Sequence, residues 1–231
     1  MPAKKEAPLV ISLGGSIIVP NGGVDAQFLK KFKEVIEKFV RRGRRFVIIT
    51  GGGKLARRYQ EAARKISNLH PEDIDWLGIH ATRMNGHLLR AIFRQRAHPH
   101  LYWDPGKKLV WREPILIGAG WRPGSSTDYI AALAAKKFKA KRIINLSNID
   151  YVYDKDPRRH RDAKKIKEIK WKDFKKLVGG RWVPGANLPF DPVASRLSES
   201  LGIEVVVMNG RRLAEFEKAL NNKEFCGTII R

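Results

Sequence analysis

The chain has one cysteine, Cys226, in 231 residues. No internal disulfide can form, so the fold must rest on packing and hydrogen bonds, as suits a reducing compartment. Long apolar runs are also missing. The first, Leu9 to Leu13, stops at Gly14-Gly15, too short for a membrane span and without the small-residue cleavage site of a leader. The expectation is a soluble, uncleaved, cytoplasmic protein with no membrane partner. Internal repeats, low-complexity tracts and clear linkers are absent too. The six histidines show no metal-ligand spacing on one helix, and His80 and His87, seven apart, read as helix-face residues. No metal site is expected from side chains.

Acidic residues are scarce: 23 Asp and Glu face 46 Lys and Arg, a net charge of +23. The basic residues gather in Arg41-Arg42-Gly43-Arg44-Arg45, in Lys136 to Arg142 and between Lys155 and Lys176. Such charge could attract nucleic acid. The clusters fall on predicted helix ends and loops, however, and stacking aromatics do not alternate with them as in a single-strand binder. This argues against nucleic acid as the main partner and for a solvated surface that collects anionic nucleotides.

What is abundant is strand-to-glycine punctuation. Phe46 to Ile49 reads as a buried strand; Thr50-Gly51-Gly52-Gly53 follows, then a helical start, Lys54-Leu55-Ala56-Arg57-Arg58-Tyr59. Glycines admit close approach of the backbone, and a helix N-terminus presents unpaired N–H groups with partial positive charge, which together favour a phosphate. The theme recurs at Leu9 to Leu13 before Gly14-Gly15-Ser16. It recurs again at Pro114 to Ile117 before Gly118-Ala119-Gly120 and Pro123-Gly124-Ser125-Ser126-Thr127-Asp128. Ser126 or Thr127 can cap the helix that begins there, and Asp128 suits its first turn. A fourth strand, Arg142 to Leu146, ends in Ser147-Asn148-Ile149-Asp150. In open α/β sheets ligands sit at the carboxyl ends of strands, so these four ends suggest one shared crevice.

Between these strands the spacing predicts helices over Val24 to Val40, Lys54 to Ile66 and Pro71 to about Arg96. Short strands are expected at Leu101 to Trp103 and Leu109 to Trp111 around an Asp104-Pro105-Gly106 turn. After a charged, turn-rich stretch from Tyr151 to Lys170 come helices over Trp171 to Leu177, Phe190 to Leu201 and Arg211 to Leu220. Strands are expected at Ile203 to Met208 and Thr228 to Ile230. Alternating strands and helices imply a single domain, residues 1–231, with an open, mostly parallel sheet in a three-layer αβα sandwich.

The common nucleotide fingerprints do not fit. Lys54 follows Gly53, but Leu55 stands where a P-loop needs Ser or Thr, and Pro123 breaks a dinucleotide pattern begun at Gly118-Ala119-Gly120. The ordered segments instead resemble the amino acid kinase family, most closely its archaeal-type uridylate (UMP) kinase branch. The resemblance runs from about Val10 to Ile230. It rests on Gly14-Gly15-Ser16, Gly51-Gly52-Gly53-Lys54-Leu55-Ala56-Arg57, Asp75-Trp76-Leu77-Gly78-Ile79, Thr82-Arg83-Met84-Asn85, Pro123 to Asp128, Asn148-Ile149-Asp150 with Tyr153 and Asp156-Pro157, and Asp191-Pro192.

The resemblance implies ATP-dependent phosphorylation of UMP to UDP with magnesium held mainly through phosphates, in a homohexamer. The acceptor part would be about 8–140 and the ATP part about 141–231. Gly14, Gly15 and Ser16 would offer N–H groups to the transferring phosphate. Gly53 and Arg57 would face phosphate near ATP, and Ser147, Asn148, Tyr153 and Asp156 would line the adenosine site. UMP would meet Gly52, Asp75 through its sugar hydroxyls, and the loop Trp121, Arg122, Pro123, Gly124, Ser125, Ser126 and Thr127. Asp128 matches the organising carboxylate. Each feature also has a plain structural reading: a strand-to-helix turn for Gly51 to Gly53, first-turn acids for Asp75 and Asp128, strand packing for Tyr153, a helix start for Asp191-Pro192.

Three positions depart from the family pattern. Ser12 stands where most members carry a Lys that neutralises the transferred phosphoryl group. Tyr151 replaces the Gly of the usual Asn-x-Asp-Gly, which implies a different loop near adenine. Arg196 stands where relatives often have Lys. Arg57, Lys54 and Arg196 are the candidate substitutes for the missing cation. A same-fold alternative is a kinase for another small phosphate or acid. The relatives that use isoprenoid phosphate carry a His after the second glycine run, whereas none occurs here between Gly51 and Leu69. An alternative of another class is a catalytically weak nucleotide-binding regulatory protein.

Overall fold

Two strands without an exposed residue, β1 (Leu9–Leu13) and β2 (Phe46–Thr50), lie side by side within the sheet. Burial at every position means that both faces are covered, as a parallel sheet requires. The computed structural model describes residues 6–21, 23–179 and 188–231. Around β1 and β2 lie β3 (Ile115–Gly118), β4 (Arg142–Ser147), β7 (Glu168–Ile169), β8 (Glu204–Asn209) and β9 (Thr228–Ile230). A separate ribbon pairs β5 (Val152–Tyr153) with β6 (Lys165–Ile166). The sheet order is β3-β2-β1-β4-β8-β9-β7. The first five strands are parallel, and β9 runs antiparallel to β8.

The helices are α1 (Gly15–Ile18), α2 (Ala26–Val40), α3 (Gly53–Ile66), α4 (Pro71–Phe93), α5 (Thr127–Phe138), α6 (Trp171–Val178), α7 (Pro192–Ser200) and α8 (Leu213–Leu220). Two cores separate them into layers. Ile11, Leu13, Ile48 and Ile117 face a core closed by α1, α2, α4 and α8. Their neighbours Val10, Val47, Ile49 and Leu116 face one closed by α5, α6 and α7. This period-two partition is the αβα sandwich expected from the sequence. In α2, Phe28, Leu29, Phe32, Val35, Ile36 and Phe39 form the buried stripe, and the Asp25 carboxylate caps it by accepting the Phe28 N–H at 3.0 Å. Its C-terminus is followed by Gly43 at φ 84°.

Some local expectations need correction. Leu109 to Trp111 is not a strand, and Leu101 to Trp103 contributes only a bridge from Tyr102 to Gly118. A second bridge, Ala97 to Ile115, also lies along β3. Trp111 instead turns into the core beneath Arg45, whose guanidinium carbon lies 3.7 Å from the ring centroid and whose Nη2 donates to Trp111 O at 3.0 Å. The helical pattern from Pro71 ends at Phe93 and tightens into a 3-10 turn over Arg94–Arg96. The short α1 had no sequence signal of its own. Tyr151 needs no left-handed backbone: among the described non-glycine residues only Arg94, Lys139 and Asn222 have positive φ. Lys165 Nζ lies 5.3 Å from the centre of its ring.

Candidate functional site

The strand order reverses direction at β1, and ligands of open α/β sheets gather at the carboxyl ends beside such a point. There the ends of β1, β2 and β4 open into a cleft of about 340 Å³. The loop after β1 and the loop after β2 touch backbone to backbone. A Cβ on Gly15 would collide with Gly53 N and the Gly52 carbonyl carbon, and one on Gly53 would collide with Gly15 O. Gly53 also sits at φ 62°. So glycine is required here by the approach of two loops as well as by any ligand. Buried Asn85 pins the second loop from α4, its Nδ2 donating to Gly51 O at 2.8 Å.

Ser12 and Asp128 meet at the floor of this cleft. Ser12 Oγ donates to Asp128 Oδ1 at 2.9 Å, although 116 residues separate them. Asp128 lies in the first turn of α5, which Ser126 caps by accepting the Tyr129 N–H at 3.0 Å. Its other oxygen accepts the Asp191 N–H at 3.3 Å. Burial pushes the Asp128 carboxyl up to about 6, against the Ser12 bond and helped by the Asp191 charge. Asp191 is buried and caps α7 by accepting the Ala194 N–H at 2.7 Å. Burial raises this carboxyl too, against the Ala194 and Ser126 hydrogen bonds. Two desolvated acids therefore stand side by side facing the cleft.

One helix holds the third part. Asp75, on α4, accepts the Gly124 N–H at 2.9 Å. Thr82 accepts the Gly120 N–H at 2.8 Å, and Arg83 donates to Gly120 O at 3.2 Å and to Trp121 O at 2.9 Å. The chain from 120 to 124 is thus fastened to α4 at Asp75, Thr82 and Arg83, along little more than two turns of helix.

Of the residues singled out in the sequence, the cleft brings together Ser12, Gly14, Gly15, Ser16, Gly52, Gly53, Arg57, Asp75, Arg122, Ser125, Ser126, Thr127, Asp128 and Ser147. The N–H of Gly14 is already committed to Leu146 O at 2.9 Å, so of the first glycine run only Gly15 and Ser16 can offer theirs outward. Trp121, Pro123, Gly124, Asn148, Tyr153 and Asp156 lie outside the lining. Trp121 packs partly buried under Arg122 at 4.0 Å, Tyr153 pairs with Lys165, and Asp156 binds Arg158 at 3.1 Å. Arg196 is exposed on α7, and its charge reaches Asp191. Lys54 is exposed, 3.5 Å from Asn21.

Sequence reasoning missed Gln60 and Asn145, and it named Ile79, Thr82 and Asp191 only as motif residues and Gly120 only as part of a strand end, without a site role; all of them line the site. Two signals could have found some of them. Gln60 follows Arg57 by one helical turn, and Asn145 is a polar residue inside an apolar strand. Its Nδ2 donates to Pro189 O at 2.9 Å. Among the described residues no group of three His, Cys, Asp or Glu side chains could hold a metal ion.

The model of the amino acid kinase family matches residues 7–209. Among similar proteins, the uridylate kinase of Methanocorpusculum labreanum is 35% identical over 225 residues, 96% of this chain and 94% of that one. The uridylate kinase of Methanococcus aeolicus is 34% identical over 226 residues, 96% and 98% of the two chains. The crystal structure of uridylate kinase from Archaeoglobus fulgidus superposes with a TM-score of 0.82 at 30% identity, covering 97% of this chain and 100% of that one. UMP kinase from Bacillus anthracis shares the fold, with a TM-score of 0.77 at 20% identity over 97% and 96% of the chains.

Proposed function

The chain belongs to the amino acid kinase family, and from that premise we infer that it is a uridylate kinase, moving the γ-phosphoryl group of ATP to the phosphate of UMP. The reading is carried by one observation. Two glycine loops pack against each other at adjacent strand ends, with Ser12 and Asp128 hydrogen-bonded at the floor of the cleft. The whole-length similarity to archaeal uridylate kinases supports UMP as the acceptor.

In the reaction a phosphate oxygen of UMP attacks the γ-phosphorus, the bond to the β,γ-bridging oxygen breaks, and ADP leaves. The protein's part is to align the two nucleotides and offset their negative charge. We assign Gly15, Ser16 and Gly53 to the transferring phosphate as backbone donors, with Gly14 shaping the turn. Arg57, on the cleft-facing side of α3, supplies the positive charge that Ser12 lacks. Asp128 holds the Ser12 hydroxyl in place, and Arg196 acts at longer range through Asp191. Asp75 spends one oxygen on Gly124 and keeps the other for the sugar hydroxyls of UMP. Arg122, Ser125, Ser126 and Thr127 complete the acceptor side with Gly52, and Trp121, Pro123 and Gly124 give their loop its shape. Ser147 opens the ATP side, with Asn148, Tyr153 and Asp156 beyond the lining toward adenosine. The acceptor half spans about 8–140 and the ATP half about 141–231.

We propose magnesium as an ion held mainly through the nucleotide phosphates, as the family resemblance implies. When bound it neutralises phosphate charge. Family resemblance supports a homohexamer, and the nucleotide substrates support a cytoplasmic setting.

The test is ADP release with UMP, CMP, AMP and isopentenyl phosphate as acceptors. UMP is expected to be fastest. Faster turnover of a non-nucleotide phosphate would overturn the acceptor, and no turnover with any of them would favour a regulatory nucleotide-binding protein.

A further inference from the structure

Arg83 lies outside the cleft lining, yet hydrogen bonds and ring contacts from one short loop and two tryptophans converge on it. Its Nε donates to Gly120 O at 3.2 Å and its Nη2 to Trp121 O at 2.9 Å. Its guanidinium carbon lies 4.6 Å from the Trp103 ring centre and 5.8 Å from that of Trp76, a cation–π setting on two sides. Partial burial lowers the guanidinium from its usual value. Among the described residues this half-buried arginine meets carbonyls and indole faces and forms no ion pair, so its charge is spent on the shape of one short loop.

The shape has a consequence for the peptide groups. Peptide units are planar and trans, so a unit whose C=O points at Arg83 directs its N–H the opposite way. Gly120 O shares a unit with Trp121 N–H, and Trp121 O shares one with Arg122 N–H. Both carbonyls are held by Arg83, so two successive N–H groups turn to the side away from it. Among the described residues neither N–H has an acceptor, whereas the flanking N–H groups of Gly120 and Gly124 are taken by Thr82 and Asp75. Consecutive N–H groups facing one way form a concave donor pair suited to an electron-rich oxygen. Arg122 itself lines the cleft.

We propose that Arg83 is a positioning residue for the acceptor substrate: by clamping the Gly120 and Trp121 carbonyls it holds the Trp121 and Arg122 N–H groups as a donor pair for an oxygen of the bound nucleotide. That the acceptor is UMP rests on the reading above. The oxygen belongs to the base or to the phosphate, and the two are separable by experiment. Lysine cannot take the place of Arg83 fully, because it lacks the planar fork that reaches two carbonyls while stacking on indole.

The experiment compares Arg83→Gln and Arg83→Lys with the wild type in steady-state kinetics, beside thermal melts. The expected result is a KM for UMP raised about tenfold or more in Arg83→Gln, the scale of one or two lost hydrogen bonds. The kcat and the KM for ATP should stay within about twofold, and Arg83→Lys should fall between. AMP, whose base has no carbonyl oxygen, serves as second acceptor, or as competitive inhibitor if it is not turned over. Parallel weakening of UMP and AMP assigns the pair to phosphate, and weakening of UMP alone assigns it to a base oxygen. A structural role would instead lower the melting temperature and kcat with KM for UMP unchanged, and that result overturns the proposal. If the wild type prefers another acceptor of the panel, the same KM split is read on that one, so failure of the uridylate reading and failure of the Arg83 proposal remain distinct. A wild type that neither turns over nor binds any acceptor by calorimetry overturns both.

Discussion

Replacing Asp128 with Asn should make the protein more stable and far less active, and the gain in stability should depend on pH. In the folded chain the carboxyl rises from an ordinary 3.8 to about 6, chiefly through burial. Between those values the folded chain holds a proton that the unfolded chain has released, so stability is highest below about pH 4 and falls as pH rises through 6. At about 1.4 kcal/mol per pK unit, the ionised carboxylate costs the fold about 3 kcal/mol at pH 8. Asparagine removes the charge and can keep both partners, its carbonyl accepting the Asp191 N–H and its amide donating to Ser12 Oγ. Allowing about 1 kcal/mol for weaker bonds leaves a net gain of about 2 kcal/mol, or about 4–8 °C in a chain of this size. The assay is a set of thermal melts of both proteins from pH 4.5 to 8. The difference between them should vanish at the acid end, and Asp191, present in both, drops out of it to first order. Melting is a cleaner readout than a pH–rate curve, because nucleotide phosphates titrate near the same pH. A variant that melts at or below the wild type at pH 8, with no pH dependence in the difference, would refute a strained acid at this position. Turnover should fall about 10²- to 10³-fold, the usual scale for a lost preorganised electrostatic group. Near-normal turnover would remove Asp128 from the mechanism.

Arg57→Ala should lower kcat/KM by at least about tenfold while moving the melting temperature by less than about 2 °C, since Arg57 is exposed on the cleft rim. Ser12→Lys, which places an ammonium beside Asp128, should be neutral or harmful. Full activity of Arg57→Ala together with a many-fold gain in Ser12→Lys would mark the native protein as a weakened kinase. Gly15→Ala should destabilise by more than about 3 kcal/mol, because the added methyl runs into the backbone of Gly51 to Gly53. Normal melting of that variant would show that the two loops do not pack as described.

The layer architecture was legible because it is written locally. Apolar strand runs, the α2 stripe and the glycine punctuation each fall within a few residues, and local sterics and burial turn them directly into strands, helices and turns. Leu109 to Trp111 misled for the same local reason: its apolar ends satisfy the core through Trp111 on Arg45 rather than through a ladder. The glycines were read as room for a ligand. Only the fold shows that Gly15 and Gly53 also make room for each other, and that the Gly14 N–H is already taken.

The chain alone therefore determined the fold class, the kinase family and most of the residues that meet in the cleft, since a motif's order along the chain is itself sequence. What it could not contain is distance. The Ser12–Asp128 bond, the raised pKa of Asp128, the second acid at Asp191 and the three-point fastening of the 120–124 loop to α4 all join residues 37 to 116 positions apart. They exist only because the parallel sheet brings the ends of separate strands to one edge, where desolvation and like charge act between groups that are strangers in the sequence.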